Sequence, residues 1–168
     1  MPAVEEISES MIRENIARAV AAVFKTMLGR PVMPAPEEPA AAGPAAATPQ
    51  IVGTVGFLGE VNGLIYIHLD QAFAAWCTGQ ILGMAPGELL AAGDDPVNDA
   101  IGELTNMVVG GFKNALCDAG YPCKLTIPSI LRGSNFCIQP TRSAHRRRYR
   151  FACGDQFLVA DILLKVGD

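Results

Sequence analysis

Glu103 and Asn106 stand three residues apart in the segment Asp99 to Leu116, DAIGELTNMVVGGFKNAL. Residues three apart on a helix point the same way. A carboxylate and an amide are thus offered side by side. On a helical wheel at about 100° per residue, Val97, Ile101, Leu104, Val108, Phe112 and Ala115 fall within an arc of roughly 80°. Asp99, Glu103, Asn106, Gly110, Lys113 and Asn114 cluster opposite, within roughly 100°. The first arc is a core face and the second an outward one. Gly110 lies between Glu103 and Asn106 in angle, which leaves that surface low. A shallow, outward pair of this kind suits entry into a partner's pocket better than a deep pocket of its own.

Gly102, Gly110 and Gly111 lie within ten residues, and each mid-helix glycine costs about 1 kcal/mol against alanine. Close packing of another element explains such a cost. So does close approach of a partner to the carboxylate and amide. Gly110, on the polar face, fits the partner explanation; for Gly102 and Gly111 the choice stays open.

The elements that position this helix follow from periodicity. Residues 4–28 carry a helical apolar stripe through Ile7, Met11, Ile12, Ala19, Val20, Val23 and Met27, stopped by Gly29 and Pro31. Residues 31–50, PVMPAPEEPAAAGPAAATPQ, have the composition of a flexible or extended linker. Residues 51–58 and 64–69 predict a strand pair, and Asp70 caps a helix over 71–82 that Gly83 ends. Residues 84–96 predict a loop, from which Asp95 and Pro96 launch the third helix. Strands are expected at 123–131, 135–139, 147–153 and 156–166, with Pro128 marking a bend or an edge in the first. This order gives an α/β (α+β) chain with a mostly antiparallel sheet of about six strands packed with long helices.

The chain has 168 residues, half of them apolar, with a net charge of -4, and is expected to form a single domain. The acidic balance gives no support to nucleic-acid binding, and no apolar run is long enough for a membrane span. The N-terminus, with Glu5, Glu6 and Glu9, lacks a secretion-signal pattern, so a cytoplasmic location is expected. Five cysteines without a CxxC pair, and two distant histidines, make a metal site an unexpected outcome; the thiols read as scattered and buried. His68, in an apolar strand, reads as structural. Trp76 reads as core or interface. HRRRYR, residues 145–150, reads as a solvated hairpin tip with an alternating exposed face; a phosphate or nucleic-acid patch and a dock for an acidic partner are the alternatives.

Glu103-Leu104-Thr105-Asn106 in this frame resembles the ExxN motif of the CheC/CheX family of chemotaxis phosphatases. Residues 11–29 are similar to the family's opening helix, and LTIPSILRG, residues 125–133, to the strand after its motif helix. The likeness covers most of the chain except the linker. It implies a two-layer fold and hydrolysis of the aspartyl phosphate on CheY-like response-regulator receiver domains. CheC-type members carry two motifs. The first helix here has Glu14 and Asn15 but no ExxN, so the single motif is similar to CheX, which implies a homodimer formed largely through the sheets.

An acyl phosphate already has a good leaving group, so catalysis reduces to placing a water in line with phosphorus. An amide offers donor and acceptor and does not titrate. Within the resemblance, Asn106 orients the attacking water and Glu103 pairs with the receiver's active-site lysine. Asp99, Gly110 and Lys113 are candidate partner contacts. The Mg²⁺ belongs to the receiver, and no cofactor of the chain's own is expected. The competing expectation is a non-catalytic receiver-binding adaptor or flagellar-switch-like module.

Overall fold

The computed structural model describes residues 7–36, 48–141 and 144–166. Helix α1 spans Glu9–Leu28, capped by the Ser8 side chain, which accepts from the Met11 N–H, and ended by left-handed Gly29. A short strand β1, Met33–Ala35, follows. Strands β2, Gln50–Gly59, and β3, Val61–Asp70, form a tight hairpin. The Asp70 carboxylate accepts from the Phe73 N–H at 2.7 Å and opens α2, Gln71–Leu82. A one-and-a-half-turn helix α3, Pro86–Ala91, precedes the long helix α4, Asp95–Asp118. The chain closes with β4, Cys123–Leu125; β5, Ser129–Gly133; β6, Ala144–Cys153; and β7, Gln156–Val166.

All pairings are antiparallel. The strand order is β1-β6-β7-β3-β2-β4, and β5 joins β4 on the outer side of β2. The expected α/β architecture is present, with seven strands where six were expected. Three changes produce the difference. Met33–Ala35, inside the expected linker, is a strand on β6; residues 37–47 of that linker lie outside the described residues. The expected 123–131 strand is two, broken at Thr126–Pro128. The expected 135–139 strand is absent: Asn135, at φ 59°, turns the chain, and the alternation of NFCIQ finds no partner. Two further boundaries move. The expected loop at 84–96 contains α3, and α4 starts at Asp95 rather than Asp99. Asp95 is the first helical residue and not the cap; Asp94 sits at the cap without a side-chain cap bond. Instead Arg132 of β5 ties this end down, donating to Asn98 Oδ1 at 2.9 and 2.7 Å and pairing with Asp94 at 3.4 Å.

The strands alternate, and their inner residues make the core with the helices. Ile51, Val55, Phe57, Ile65, Ile67, Leu158, Ala160 and Ile162 meet Ile16, Val20, Phe24, Phe73, Ile101, Leu104, Val108 and Phe112. The other sheet face carries Val52, Leu64, His68, Asp161 and Arg146. Asp161 is almost wholly buried there, accepting from Nε and Nη2 of Arg146 at 2.8 and 2.6 Å. His68 Nε2 lies 3.8 Å from the same carboxylate. The arginine run therefore lies along β6, largely half-buried, rather than at a solvated hairpin tip: Arg146 is committed to Asp161, and Arg150 donates to the Pro36 carbonyl at 3.4 Å. Arg150 also lies 3.6 Å over the Phe157 ring, and Arg147 donates to the Arg146 carbonyl at 2.9 Å. Trp76 is partly exposed, stacked on Phe73, with Arg30 over its ring at 5.5 Å. Cys77, Cys123 and Cys153 are buried as expected, whereas Cys117 is half-buried and Cys137 is exposed.

Burial holds the His68 pKa at about 4, and the nearby Arg148 and Arg146 charges add to this against the opposing pull of Asp161. The unfolded chain takes up a proton near 6.5 that the folded chain refuses until about 4. Stability from this residue is therefore present above 6.5 and is lost as pH falls through that window. Its slope approaches at most about 1.4 kcal/mol per pH unit. Urea titrations between pH 7 and 4 should show that the wild type loses stability more steeply than His68→Gln; parallel curves for the two would refute it.

Candidate functional site

Helix α4 packs on the sheet and against α1, and small residues set its rotation. Thr105 faces the sheet, fully buried, with its hydroxyl donating to the Ile101 carbonyl at 2.7 Å. It rests on Gly53 of β2. A Cβ on Gly53 would fall 1.9 Å from Thr105 Oγ1, so no larger residue fits beneath the threonine. Farther along, Phe112 meets Phe57 with ring centroids 6.1 Å apart. On the other flank, Gly111 faces α1, where an added Cβ would come to 3.2 Å from Ala19 Cβ. Gly111 is thus explained by helix–helix packing. Gly110 is not: its nearest neighbour would be Leu125 Cδ1 at an ordinary 3.8 Å. Gly102 is buried, yet a Cβ there would meet nothing within 4 Å; the structure gives it no packing reason.

With Leu104 and Thr105 locked inward, Glu103 and Asn106 must face outward. Glu103 is exposed and Asn106 half-buried. Neither side chain makes a hydrogen bond or ion pair among the described residues. Gly110 and Lys113 are half-buried, and Asp99 is exposed, on the same stripe. The predicted polar arc is therefore a single surface. The buried arc is wider than the sequence pattern indicates, because Thr105, Val109 and Leu116 are also buried where the helix settles onto β2. Thr105 and Gly53 are the positioning pair that periodicity did not single out. The available signals were a threonine inside a helical motif and a lone glycine among the β-branched residues of IVGTVGF.

The site supports two acts. A free carboxylate can accept an ammonium group from a partner, and a free amide can hold a water by one donor and one acceptor. It offers no nucleophile and no paired acid and base. Among the described residues no group of His, Cys, Asp or Glu is placed to hold a metal ion, and no helix is long and apolar enough to cross a membrane.

Comparison with known proteins agrees with this fold. A family model described as chemotaxis phosphatase CheX matches residues 51–152. No curated protein sequence matches the chain. Among solved structures, chemotaxis protein CheX from Vibrio vulnificus is similar at a TM-score of 0.75 and 24% identity, over 94% of this chain and 97% of that one. A CheC-like superfamily protein from Shewanella sp. PV-4 is similar at 0.76 and 23%, over 94% and 99%. A chain of the CheX–CheY–BeF3–Mg²⁺ complex from Borrelia burgdorferi is similar at 0.66 and 18%, over 94% and 98%.

The two glycines separate packing from access. Gly53→Ala should cost about 1–3 kcal/mol, because Thr105 must move. Gly110→Ala, with no crowding, should leave stability unchanged or raise it by up to about 1 kcal/mol. Denaturant midpoints of both variants check this, and equal losses would contradict the seating of α4 described here.

Proposed function

The chain belongs to the CheX family of chemotaxis phosphatases, and from that membership we propose that it hydrolyses the aspartyl phosphate of a CheY-like receiver domain, with Asn106 orienting the attacking water and Glu103 docking to the receiver. The observation that carries this reading is the pair of unengaged side chains, Glu103 and Asn106, held outward by the inward locking of Leu104 and Thr105. Glu103 accepts an ammonium group from the receiver's phosphorylation pocket. This fixes the register of docking. Asn106 enters beside the phosphoryl group. Its carbonyl oxygen accepts a hydrogen bond from water and its NH₂ restricts the water's rotation. The water oxygen attacks phosphorus, the bond between phosphorus and the aspartate oxygen breaks, and the carboxylate leaves as inorganic phosphate forms. Gly110 keeps the stripe low enough for the receiver to approach, and Asp99 and Lys113 lie within its footprint.

The Borrelia complex contains CheY, BeF3 and Mg²⁺ together with CheX. In this reading the chain works against a metal that the receiver supplies. Positioning one water and one docked partner accounts for an acceleration of about 10²-fold or more over the receiver's own decay. Such a partner must leave after each turnover, so the interface is modest and transient.

We further propose that two copies associate through the helix-free sheet face. Leu64, Leu131 and Phe157 are each about two-fifths exposed there, around the buried Asp161. Sedimentation should give a dimer for the wild type and a shift toward monomer for Leu64→Arg; a wild-type monomer at micromolar concentration would rule this out.

The phosphatase reading is tested by the decay of a phosphorylated CheY receiver from the same organism. Wild type should accelerate decay. Asn106→Ala should return it to the intrinsic rate while binding persists, and Glu103→Ala should weaken binding and turnover together. Both variants should fold, since neither residue is in the core. Binding without acceleration by the wild type would instead indicate a receiver-binding module without catalysis.

A further inference from the structure

The sheet edge beside α4 contains one residue too many. Phe57 pairs with Leu125, and Thr54 pairs with Ser129. Val55 and Gly56 therefore face Thr126, Ile127 and Pro128, two residues against three. This is a β-bulge, which bends a strand and re-aims a side chain. The local bonding is rerouted to support it. Thr126 N–H donates to the Gly56 carbonyl at 2.8 Å, but Gly56 N–H donates to the Thr126 hydroxyl, also at 2.8 Å. A side-chain oxygen thus takes the place of a ladder carbonyl. Pro128, with its fixed φ and no N–H, completes the interruption.

The residue between them is Ile127, 84% exposed. Its neighbours are pinned, so an isoleucine is held in water on a backbone that is not free to fold it away. Its level along the helix follows from the contacts of α4. Thr105 sits over Gly53 and Phe112 against Phe57. The bulge, opposite Val55 and Gly56, therefore lies alongside the stretch between them, which contains Asn106 and Gly110. Leu125, just before the bulge, is the residue nearest Gly110.

We propose that Ile127 is an apolar anchor for the receiver domain, seating it so that Glu103 and Asn106 reach the phosphoaspartate. The inference rests on the phosphatase reading above. The stripe on α4 is polar, and exposed charges give orientation and encounter rate more than affinity. Affinity at a small interface comes from a few side chains that lose water on contact. Ile127 is an exposed apolar group at the level of the stripe, and Thr126 helps hold it there. The occupant it fits is a receiver surface with an apolar patch beside its acidic phosphorylation pocket.

The test uses the full chain and a CheY receiver from the same organism, activated with beryllofluoride and Mg²⁺ for binding and phosphorylated for turnover. Ile127→Ser should raise Kd and KM about tenfold, as expected for losing one buried aliphatic side chain, with kcat and thermal midpoint little changed. Ile127→Leu should restore both constants. Met33→Ser, an exposed apolar residue on the opposite sheet edge, should behave as wild type. An unchanged Kd and KM for Ile127→Ser, or a loss confined to kcat, overturns the anchor while leaving the phosphatase intact. A wild-type chain that neither binds the receiver nor speeds its decay overturns the phosphatase reading, and the anchor with it.

Discussion

The contact of Thr105 with Gly53 is the constraint on which the rest of the site depends. Helix α4 carries its functional groups on a narrow stripe, and a rotation of a few tens of degrees would bury one of them. The fully buried threonine, satisfied by its own helix and resting on a glycine, prevents that rotation from the sheet side. Gly111 against Ala19 prevents it from the α1 side. Phe112 against Phe57 fixes the helix along its axis. Packing of this density tolerates little displacement, so the outward aim of Glu103 and Asn106 is a property of the core.

The same arrangement explains the division of labour among the helix's glycines. A helix seated on two neighbours must sacrifice side chains where the neighbours come closest, and Gly111 is such a place. Gly110 has no such neighbour, and its cost to helix stability is matched by no internal contact. Its explanation lies outside the fold, on the surface it shares with Asn106. Arg132, reaching from β5 to Asn98 and Asp94, holds the start of the helix where a side-chain cap is missing. β5, the second strand after α4 in sequence, thereby braces the helix at its first turn.

Much of this was legible in the residues themselves. The apolar arc of α4 located its inner face, Asp70 and Gly83 bounded α2, and Gly29 ended α1, because each depends on local chemistry. What local chemistry could not supply was the choice of partner for a segment. Met33–Ala35 has linker composition and becomes a strand because β6 offers it an edge. NFCIQ alternates like a strand and is left without one. The strand at 123–131 was recognisable, and Pro128 marked a bend or an edge, but its division into β4 and β5 depends on register with β2. Thr105 as a spacer was equally hidden, since its meaning lies in a glycine fifty-two positions away.

The interruption at Thr126–Pro128 has one more consequence. β4 and β5 form the outermost strand on their side of the sheet, and an outermost strand that is long, flat and apolar recruits further chains by its unpaired amides. Here the row is broken midway, twisted, and closed by a proline. Removing one residue from the break would set two residues against two and restore a continuous edge, with Thr54 still opposite Ser129. The fold's defence against self-templated aggregation and the exposure of one isoleucine are therefore the same extra residue, and neither can be lost alone.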